Sequence, residues 1–310
     1  MNNDKIIITG ADGFVGSHIA NLYLEKGFEV LAIDIAETPN RLPSHPNLIY
    51  KKIDLFNEHE LLRKELNDFK GQSFIHMAWA GSAGPQRADY SLQLRNAETA
   101  VKCLEMAKES GCSKFIGAGS IMEYEVEAAV HANGNKPGLG YIYGMGKHIA
   151  HCLCKSVATN IGIDLLWPMI TNAYGVGELS PRFINTTLRK IIHNEPLEFT
   201  AATQNYDFVY ITDVARAFYL VERKGLPFYE YMIGSGNAAP LKSFINEMVA
   251  ACDSGNKPIF GNIPFTGIDL PLSIFSIENL KNECGFSPEV SFKQGIKLTF
   301  DWLKSIENDN

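Results

Sequence analysis

The sequence lacks any apolar run long enough to cross a bilayer, although 45% of its 310 residues are hydrophobic. A transmembrane helix needs about 20 consecutive apolar residues. The N-terminal run MNNDKIIITG has no cationic segment followed by a long apolar one, so no signal peptide is predicted. We therefore expect a cytoplasmic protein that has no membrane partner.

An excess of positive charge is also missing. The chain has 28 Lys and Arg against 35 Asp and Glu, a formal net charge of -7, which argues against a nucleic-acid partner. Cysteine is scarce, and of the six cysteines only Cys152 and Cys154 are close in sequence. A C-x-C pair in a helical stretch matches neither a zinc nor a redox spacing. We therefore expect no metal and interpret the cysteines as small buried hydrophobic residues.

What the sequence does contain, near its start, is a glycine-rich turn, TGADGFVGSH. A β-branched run, Lys5–Thr9, precedes the turn, and a helical pattern over Phe14–Lys26 follows it. In this context Gly10 makes the tight turn, Gly13 lets the backbone approach a pyrophosphate, and Gly16 lets the helix pack on the strand. The helix N-terminus adds unpaired N–H groups and a positive dipole end. The turn therefore predicts a dinucleotide site.

An acidic residue lies about twenty residues after the turn, the spacing typical of such sites. This residue, Asp34, is placed at the end of the predicted second strand. A carboxylate there accepts hydrogen bonds from the ribose hydroxyls and repels a 2′-phosphate, which favours NAD over NADP. Arg41 lies further along the chain, within reach of such a phosphate, so the preference for NAD is not absolute.

Strand and helix patterns alternate through the first half of the chain. The predicted strands are Lys5–Thr9, Glu29–Asp34, Leu48–Ile53, Gln72–His76, Lys114–Gly117 and Ile163–Leu166, and the predicted helices are Phe14–Lys26, Glu58–Phe69, Tyr90–Ser110 and Tyr143–Thr159. This alternation predicts an α/β fold with a Rossmann-type doubly wound parallel sheet. Ligands of such sheets bind beyond the carboxyl ends of the strands. The polar residues expected there are Asp34, Asp54, His76 and Ser120.

The pattern changes after Asn172, where prolines interrupt shorter elements. We therefore predict a NAD(P)-binding Rossmann domain over residues 1–171 and a smaller lobe over residues 172–310. Residues 207–222 have a strand–helix pattern and are predicted to return to the first domain. No flexible linker separates the halves, so we expect a cleft between them.

Tyr143 and Lys147, in the run YIYGMGK, share one face of a helix because they are four residues apart. A free tyrosine has a pKa of about 10 and is a poor base at neutral pH. A lysine cation beside the phenol favours the phenolate, and such a tyrosine can exchange a proton with an alcohol–ketone pair. Together with the glycine turn, the pair predicts hydride transfer at a carbon that bears a hydroxyl.

These motifs, in this order, resemble the extended short-chain dehydrogenase/reductase family, the NAD-dependent nucleotide-sugar epimerases, dehydratases and ketoreductases. The likeness runs almost end to end and is carried by the glycine turn, Asp54-Leu55, HMAWAG, GSIMEY, the Y-x-x-x-K spacing, NAYG and YDFVYITDVARAF. The resemblance implies cofactor contacts at Gly10, Asp12, Gly13, Phe14, Val15, Gly16, Asp34, Asp54, Leu55, Met77, Ala78, Trp79, Tyr143 and Lys147. It also implies catalytic roles for Ser120, Tyr143 and Lys147.

In that family's mechanism, Tyr143 gives or takes the proton of the sugar hydroxyl. Lys147 bonds the nicotinamide ribose and lowers the pKa of the tyrosine, and Ser120 hydrogen-bonds the same sugar oxygen. The resemblance implies that the C-terminal lobe binds a nucleotide-diphosphate sugar, with substrate contacts at Ser120, Met122, Asn172 and Arg182. Relatives often dimerise through the helix after Tyr90 and the helix that carries Tyr143, so a homodimer is expected.

Departures from the family pattern narrow the expected reaction. Family 4,6-dehydratases carry an Asp-Glu pair directly after the catalytic threonine, where this sequence has Ile121 and Met122. Neither residue can move a proton, so we do not expect dehydration. The epimerase–reductases that make GDP-fucose use a cysteine at the position of Met122, which argues against epimerisation next to the ketone. Simple redox at one carbon remains, and we expect it at C4.

Two outcomes fit such redox. We narrowly favour a 4-ketoreductase that acts on a 4-keto-6-deoxy sugar nucleotide, and an NAD-dependent 4-epimerase is the alternative. A non-catalytic dinucleotide-binding regulator is less favoured, because such relatives tend to lose the tyrosine or the lysine. The family often has arginines where this chain has Met169 and Tyr206, which removes bidentate diphosphate contacts. Arg182 and Arg189 are possible substitutes, and the sequence does not predict the base.

Overall fold

The computed structural model describes residues 4–253 and 255–308. The strands are β1 Lys5–Thr9, β2 Glu29–Asp34, β3 Leu48–Lys52, β4 Ser73–His76, β5 Lys114–Gly117, β6 Gly119–Ser120, β7 Asp164–Leu166, β8 Met169–Ile170, β9 Asn172–Tyr174, β10 Glu198–Phe199, β11 Asn205–Tyr206, β12 Phe208–Tyr210, β13 Met232–Ile233, β14 Ala239–Pro240 and β15 Ile259–Phe260. The helices are α1 Phe14–Glu25, α2 His59–Phe69, α3 Tyr90–Glu109, α4 Met122–His131, α5 Ile142–Ile161, α6 Phe183–Ile192, α7 Ile211–Lys224, α8 Leu241–Ala251, α9 Glu278–Cys284 and α10 Phe292–Asn308.

The central sheet has six strands in the order β3-β2-β1-β4-β5-β7. Each neighbouring pair is parallel. The strand order reverses between β1 and β4, which is the switch point at which doubly wound sheets bind ligands. The predicted α/β fold with a Rossmann-type sheet is therefore confirmed.

Both faces of this sheet are covered by helices. Along β1, Ile6 and Ile8 belong to the core on one face, and Ile7 belongs to the core on the other face. Helices α1 and α7 contribute their apolar residues to the first core, and α2, α3 and α5 contribute theirs to the second. Burial on both faces explains why the strands are almost continuously apolar.

The predicted elements of the first half occur with ends shifted by one or two residues, but Ser120 is not at the end of the fifth strand. Strand β5 ends at Gly117, and Ser120 lies on β6, which pairs with β8 in a second sheet, β13-β8-β6. The chain changes sheets where the Trp167 ring lies against it. A Cβ on Gly117 would be 2.1 Å from that ring, and one on Gly119 would be 2.8 Å from it. Helix α4, which follows, was also not predicted.

The segment 207–222 contacts both parts of the chain. Its strand, β12, pairs with β9 in a separate two-stranded sheet, and its helix, α7, packs on α1 beside the central sheet. An aromatic cluster of Tyr174, Phe208, Phe244 and Phe292 continues the same core into the C-terminal part of the chain. The domain boundary after residue 171 stays a prediction.

Two smaller points concern apolar surface. Among the helices in the described ranges, none combines the length and the apolarity that crossing a bilayer requires. The cysteines are less uniformly buried than expected. Cys152 on α5 is exposed and Cys252 is partly exposed, whereas Cys103, Cys112, Cys154 and Cys284 are buried.

Candidate active site

The glycine turn is shaped for close backbone approach. Gly10 has a φ of +65°, and a Cβ added there would lie 2.5 Å from the backbone nitrogen of Ala78. A Cβ on Gly16 would lie 2.0 Å from the carbonyl oxygen of Gly10. Helix α1 begins directly after Gly13 with no side-chain cap and no acidic residue in its first turn. Its first N–H groups and positive dipole end are therefore available to an anion, as in dinucleotide sites.

Asp34 stands at the end of β2, beside this turn. Its Oδ2 accepts from the backbone N–H of Asp12 at 2.8 Å, and its Oδ1 accepts from the N–H of Ile35 at 2.7 Å. The guanidinium of Arg41 donates to the carbonyl oxygens of Asp12 (3.2 Å) and Gly177 (3.5 Å). Arg41 therefore links the turn to the loop that follows β9.

A cavity of about 500 Å³ opens at the carboxyl ends of the central strands. The sequence-predicted residues that line it are Gly10, Gly13, Phe14, Val15, Gly16, Asp34, Asp54, Leu55, Met77, Ala78, Trp79, Ser120, Tyr143, Lys147 and Arg182. The fold thus brings the glycine turn and the Tyr–Lys pair, which are far apart in sequence, to one cavity. Its volume is in the range of small-molecule and cofactor sites.

Helix α5 presents Tyr143 and Lys147, one turn apart, on its buried face. The Lys147 Nζ donates to the carbonyl oxygen of Ala118 at 2.9 Å, which ties the ammonium group to the segment that leads to Ser120. Ser120 lowers the pKa of the Tyr143 phenol in part, and its hydroxyl accepts from the N–H of Met122 at 3.2 Å. A serine, a tyrosine and a lysine therefore converge at the cavity wall, an arrangement suited to moving a proton to or from an alcohol oxygen.

The sequence pattern of the family described as NAD dependent epimerase/dehydratase matches residues 6–234. The chain belongs to this family. It is 22% identical over 302 residues to CDP-abequose synthase of Salmonella muenchen. The aligned region covers 95% of this chain and 96% of that protein.

Two solved structures of epimerase/dehydratase relatives share the fold. An epimerase of Methanothermobacter thermautotrophicus superposes with a TM-score of 0.82 at 17% identity, over 99% of this chain and 94% of the other. The NAD complex of dTDP-glucose 4,6-dehydratase from Bacillus anthracis has a TM-score of 0.79 at 19% identity, over 98% of both chains. The family resemblance predicted from the motifs is confirmed.

Three residues with predicted contacts in this family do not line the cavity. The Asp12 carboxylate accepts from the N–H groups of Asn40 and Arg41 and so holds the loop after β2. The sulfur of Met122 accepts a weak hydrogen bond from Arg87 at 3.7 Å. The Asn172 side chain donates to the carbonyl oxygen of Asp207 at 3.0 Å. Each of these side chains is engaged by a partner from another part of the chain.

The pKa values of Tyr143 and Lys147 depend on more than the spacing between the two residues. Burial raises the pKa of Tyr143, and the guanidinium groups of Arg182 and Arg87 lower it in part. Burial also lowers the pKa of Lys147 to about 7. Burial therefore dominates the pKa of both groups, because both lose water on folding, and the lowering of the tyrosine pKa by the lysine stays a prediction.

Arg87 and Asn96 are parts of the site that sequence reasoning missed. The Arg87 guanidinium lies 4.1 Å from the centre of the Tyr143 ring and donates to the carbonyl oxygen of Ser82 at 2.9 Å. The Asn96 side chain accepts from the N–H of Ala80 at 3.0 Å and donates to its carbonyl oxygen at 2.8 Å. The signal that could have indicated Asn96 is its polar amide at a buried position of α3. Arg87 lies outside the motifs and offered none.

The ring of Trp79, which lines the cavity, contacts both Tyr143 and Lys147. Its centre lies 3.8 Å from Lys147 Nζ, and it meets the Tyr143 ring edge-on at 6.2 Å. The Trp79 indole N–H donates to the side chain of Gln93 at 2.7 Å, which fixes the ring. A cation against an aromatic face is stabilised, so Trp79 supports the ammonium form of Lys147.

A second cavity, of about 460 Å³, lies in the C-terminal part of the chain. Its walls include Phe183, Lys190, Phe199, Gln204 and Tyr206. Its lining begins at Pro181, next to Arg182 of the first cavity, so the two cavities are neighbours along the chain. Within the described ranges, no group of three His, Cys, Asp or Glu side chains is placed to hold a metal ion.

Proposed function

We propose that this protein catalyses NAD-dependent hydride transfer at C4 of a nucleotide-diphosphate sugar. The observation that supports the proposal is the convergence of Ser120, Tyr143 and Lys147 on the cavity that also contains the glycine turn. Bound NAD supplies or accepts the hydride. In this proposal Tyr143 exchanges the proton of the sugar hydroxyl, Ser120 hydrogen-bonds the same oxygen, and Lys147 binds the nicotinamide ribose.

Several features of the site fit NAD. The uncapped start of α1 suits the pyrophosphate, and no side chain fits where Gly10 and Gly16 lie against the backbone. The Asp34 carboxylate lines the cavity at the end of β2, where it can accept from ribose hydroxyls and would repel a 2′-phosphate. The NAD complex of the related dehydratase supports the same choice.

The substrate class rests on the second cavity and on the relatives. Aromatic and basic side chains, among them Phe199, Tyr206 and Lys190, line this cavity, which suits a nucleoside diphosphate. Arg182 lines the first cavity, follows Pro181 of the second cavity in sequence, and is the proposed diphosphate contact. The sequence relative that makes a CDP sugar and the structural relative that acts on a dTDP sugar support this class of substrate.

We favour a 4-ketoreductase over a 4,6-dehydratase because the positions after Ser120 are Ile121, which is buried, and Met122. The next residue, Glu123, directs its carboxylate to donors inside the protein. The related dehydratase, at 19% identity, supports a shared fold and not a shared reaction. The second candidate is an NAD-dependent 4-epimerase, which the preference for NAD expected from Asp34 favours.

A cofactor and substrate panel tests the proposal. We expect one 4-keto sugar nucleotide to consume added NADH; retained NAD with interconversion of two ordinary sugar nucleotides would favour the epimerase. Tyr143→Phe should lower kcat by about 10²-fold to 10⁴-fold with NAD binding retained. Tyr141→Phe, two residues earlier and without a lysine at the fourth position, is the matched control. Unchanged turnover in Tyr143→Phe would overturn the proposed mechanism.

A further inference from the structure

Glu123 is a buried carboxylate beside the proposed catalytic serine. Its side chain is 2% exposed. One oxygen accepts from the backbone N–H of Ser120 at 2.9 Å and from the indole N–H of Trp167 at 3.3 Å. The other accepts from His151 Nδ1 at 3.0 Å. A carboxylate is kept in such a place only when several donors replace water, and here three donors do so.

Two reciprocal contacts join Ser120 and Glu123 around the start of α4. The Ser120 hydroxyl accepts from the N–H of Met122, and the Glu123 carboxylate accepts from the N–H of Ser120. This reciprocal pattern, S-x-x-E, resembles a capping box placed one residue before the helix boundary at Ile121, and it fixes both the backbone and the side chain of its first residue. The first residue here is Ser120 itself, so the contacts at the start of α4 also set the direction of the hydroxyl near Tyr143.

Two side chains of α5 hold the segment from Ala118 to Ser120, one directly and one through Glu123. Lys147 donates directly to the carbonyl oxygen of Ala118, and His151, one turn further along α5, holds the carboxylate that accepts from Ser120. The His151 ring stacks on Trp167 with a 5.1 Å separation of ring centres and an 8° angle between planes, which limits its movement. Through Glu123, the helix that carries Tyr143 and Lys147 is therefore coupled to Ser120.

The negative charge of Glu123 acts on the same pair. It raises the pKa of Lys147, favouring the ammonium form, and raises the pKa of Tyr143, favouring the neutral phenol. The other charged or titratable groups that interact with Glu123, Lys147 or Tyr143 are Arg87, Arg182, His76, His151, Cys154 and Glu230. Of these groups, Glu123 is the carboxylate that acts on both Lys147 and Tyr143, whereas Glu230 interacts with Glu123 itself.

We propose that Glu123, held by His151, is a positioning residue that fixes Ser120 against Tyr143 and Lys147 and supplies the negative charge for this pair. The kinetic part of this inference rests on the proposed hydride transfer. The geometric and electrostatic parts do not, because they concern groups of the free protein.

Glu123→Gln is the main test, since it keeps the shape of the side chain and removes its charge. We expect kcat to fall by about tenfold to a hundredfold with little change in KM, because the reacting groups are misplaced while the substrate contacts remain. The pH profile of kcat should move to lower pH, because the pKa values of Tyr143 and Lys147 both fall when the carboxylate is lost. Glu127→Gln is the matched control, an exposed glutamate on α4 that faces His148 of α5 at 3.7 Å.

A readout without substrate separates this inference from the proposed function. The phenolate absorbance that Tyr143→Phe removes should titrate at lower pH in Glu123→Gln than in the wild type. If the wild type transfers no hydride but this titration still moves, the proposed function fails and the electrostatic role of Glu123 stands. A titration and a pH profile that match those of Glu127→Gln would overturn the role of Glu123.

His151→Ala covers the case in which Glu123→Gln does not fold. It leaves the carboxylate in place and removes one of its three donors. We expect a smaller fall in kcat than in Glu123→Gln, with His148→Ala, the corresponding histidine of the exposed pair, unchanged. Equal kcat values in His151→Ala and His148→Ala would contradict the coupling through α5.

Discussion

At the scale of single residues, the Tyr143 phenol has a cation on one side and an aromatic ring on another. Arg87 stacks on its face and Trp79 meets its edge, while Lys147 lies against Trp79. Because the phenol is buried, its pKa depends on these neighbours more than on solvent. The two arginines that lower it, Arg87 and Arg182, both donate to the carbonyl oxygen of Ser82. The loop that carries Ser82 thus sets the charge around the proposed catalytic residue.

Glu125, on α4, gives a residue-scale prediction about stability and pH. Burial raises its pKa from 4.5 to about 7, with Arg87 opposing the shift. The folded protein therefore binds this proton more tightly than the unfolded chain does. The free energy of unfolding should fall as the pH rises from 4.5 to about 7 and should then level off, because the charged carboxylate is disfavoured only in the fold.

Glu125→Gln removes this titration. We expect the variant to be more stable than the wild type at about pH 8, by at most about 3 kcal/mol, with the difference vanishing at about pH 4. Denaturant unfolding at the two pH values measures it. Glu127→Gln, on the exposed side of the same helix, should show no pH-dependent difference. A Glu125→Gln effect of equal size at both pH values would show that packing, and not ionisation, accounts for it.

At the scale of elements, the glycine turn places α1 against β1 so closely that side chains are not tolerated. Gly16→Ala would put a methyl group 2.0 Å from the Gly10 carbonyl oxygen, so the helix must shift away from the turn. We expect loss of NAD binding and a destabilisation of about 1–3 kcal/mol, measured by calorimetric titration and thermal unfolding. Gly140→Ala is the control, because an added Cβ there meets no atom within 4 Å. Wild-type NAD affinity in Gly16→Ala would contradict the proposed cofactor site.

The elements that could be predicted from the sequence are those whose signal is local. The β1–turn–α1 unit and the Tyr143–Lys147 pair depend on short spacings, and both occur where predicted. Strand β6 and helix α4 were missed because their positions depend on the ring of Trp167 and on the buried Glu123, contacts made across the fold. The side-chain partners of Asp12, Met122 and Asn172 also lie across the fold, where no sequence pattern identifies them, and the ligand contacts of these residues stay predictions.

At the scale of the whole molecule, the loop after β9 is tied to α1 and to the loop after β2 around the main cavity. His18 on α1 hydrogen-bonds the carbonyl oxygen of Val176 at 3.1 Å, and Arg41 donates to Gly177. Arg182, at the end of this loop, reaches the carbonyl oxygen of Ser82 at 3.5 Å. Since Arg41 and Arg182 both line the cavity, a ligand there would lie within reach of both arginines.

The outer surface formed by α3 and α5 has exposed apolar side chains. Tyr90 and Leu94 on α3 are exposed, as are Ile149 and Leu153 on α5, and each pair is spaced four residues apart. The two helices pack against each other, so these side chains lie on one surface. Exposed apolar patches of this kind mark association sites. We propose that the protein forms a homodimer in which a second copy covers this surface.

The combined variant Leu94→Glu and Leu153→Glu tests the homodimer. Leu94 is 48% exposed and Leu153 is 45% exposed, so two buried charges would appear at the interface while the monomer itself has little to lose. We expect a dimer for the wild type and a monomer for the variant in sedimentation velocity. Leu298→Glu on α10, at an equally exposed leucine outside the patch, should remain dimeric. A monomeric wild type, or a dimer that survives both charges, would contradict the proposal. Because Tyr143 and Lys147 lie on the buried face of α5, the monomeric variant should still bind NAD.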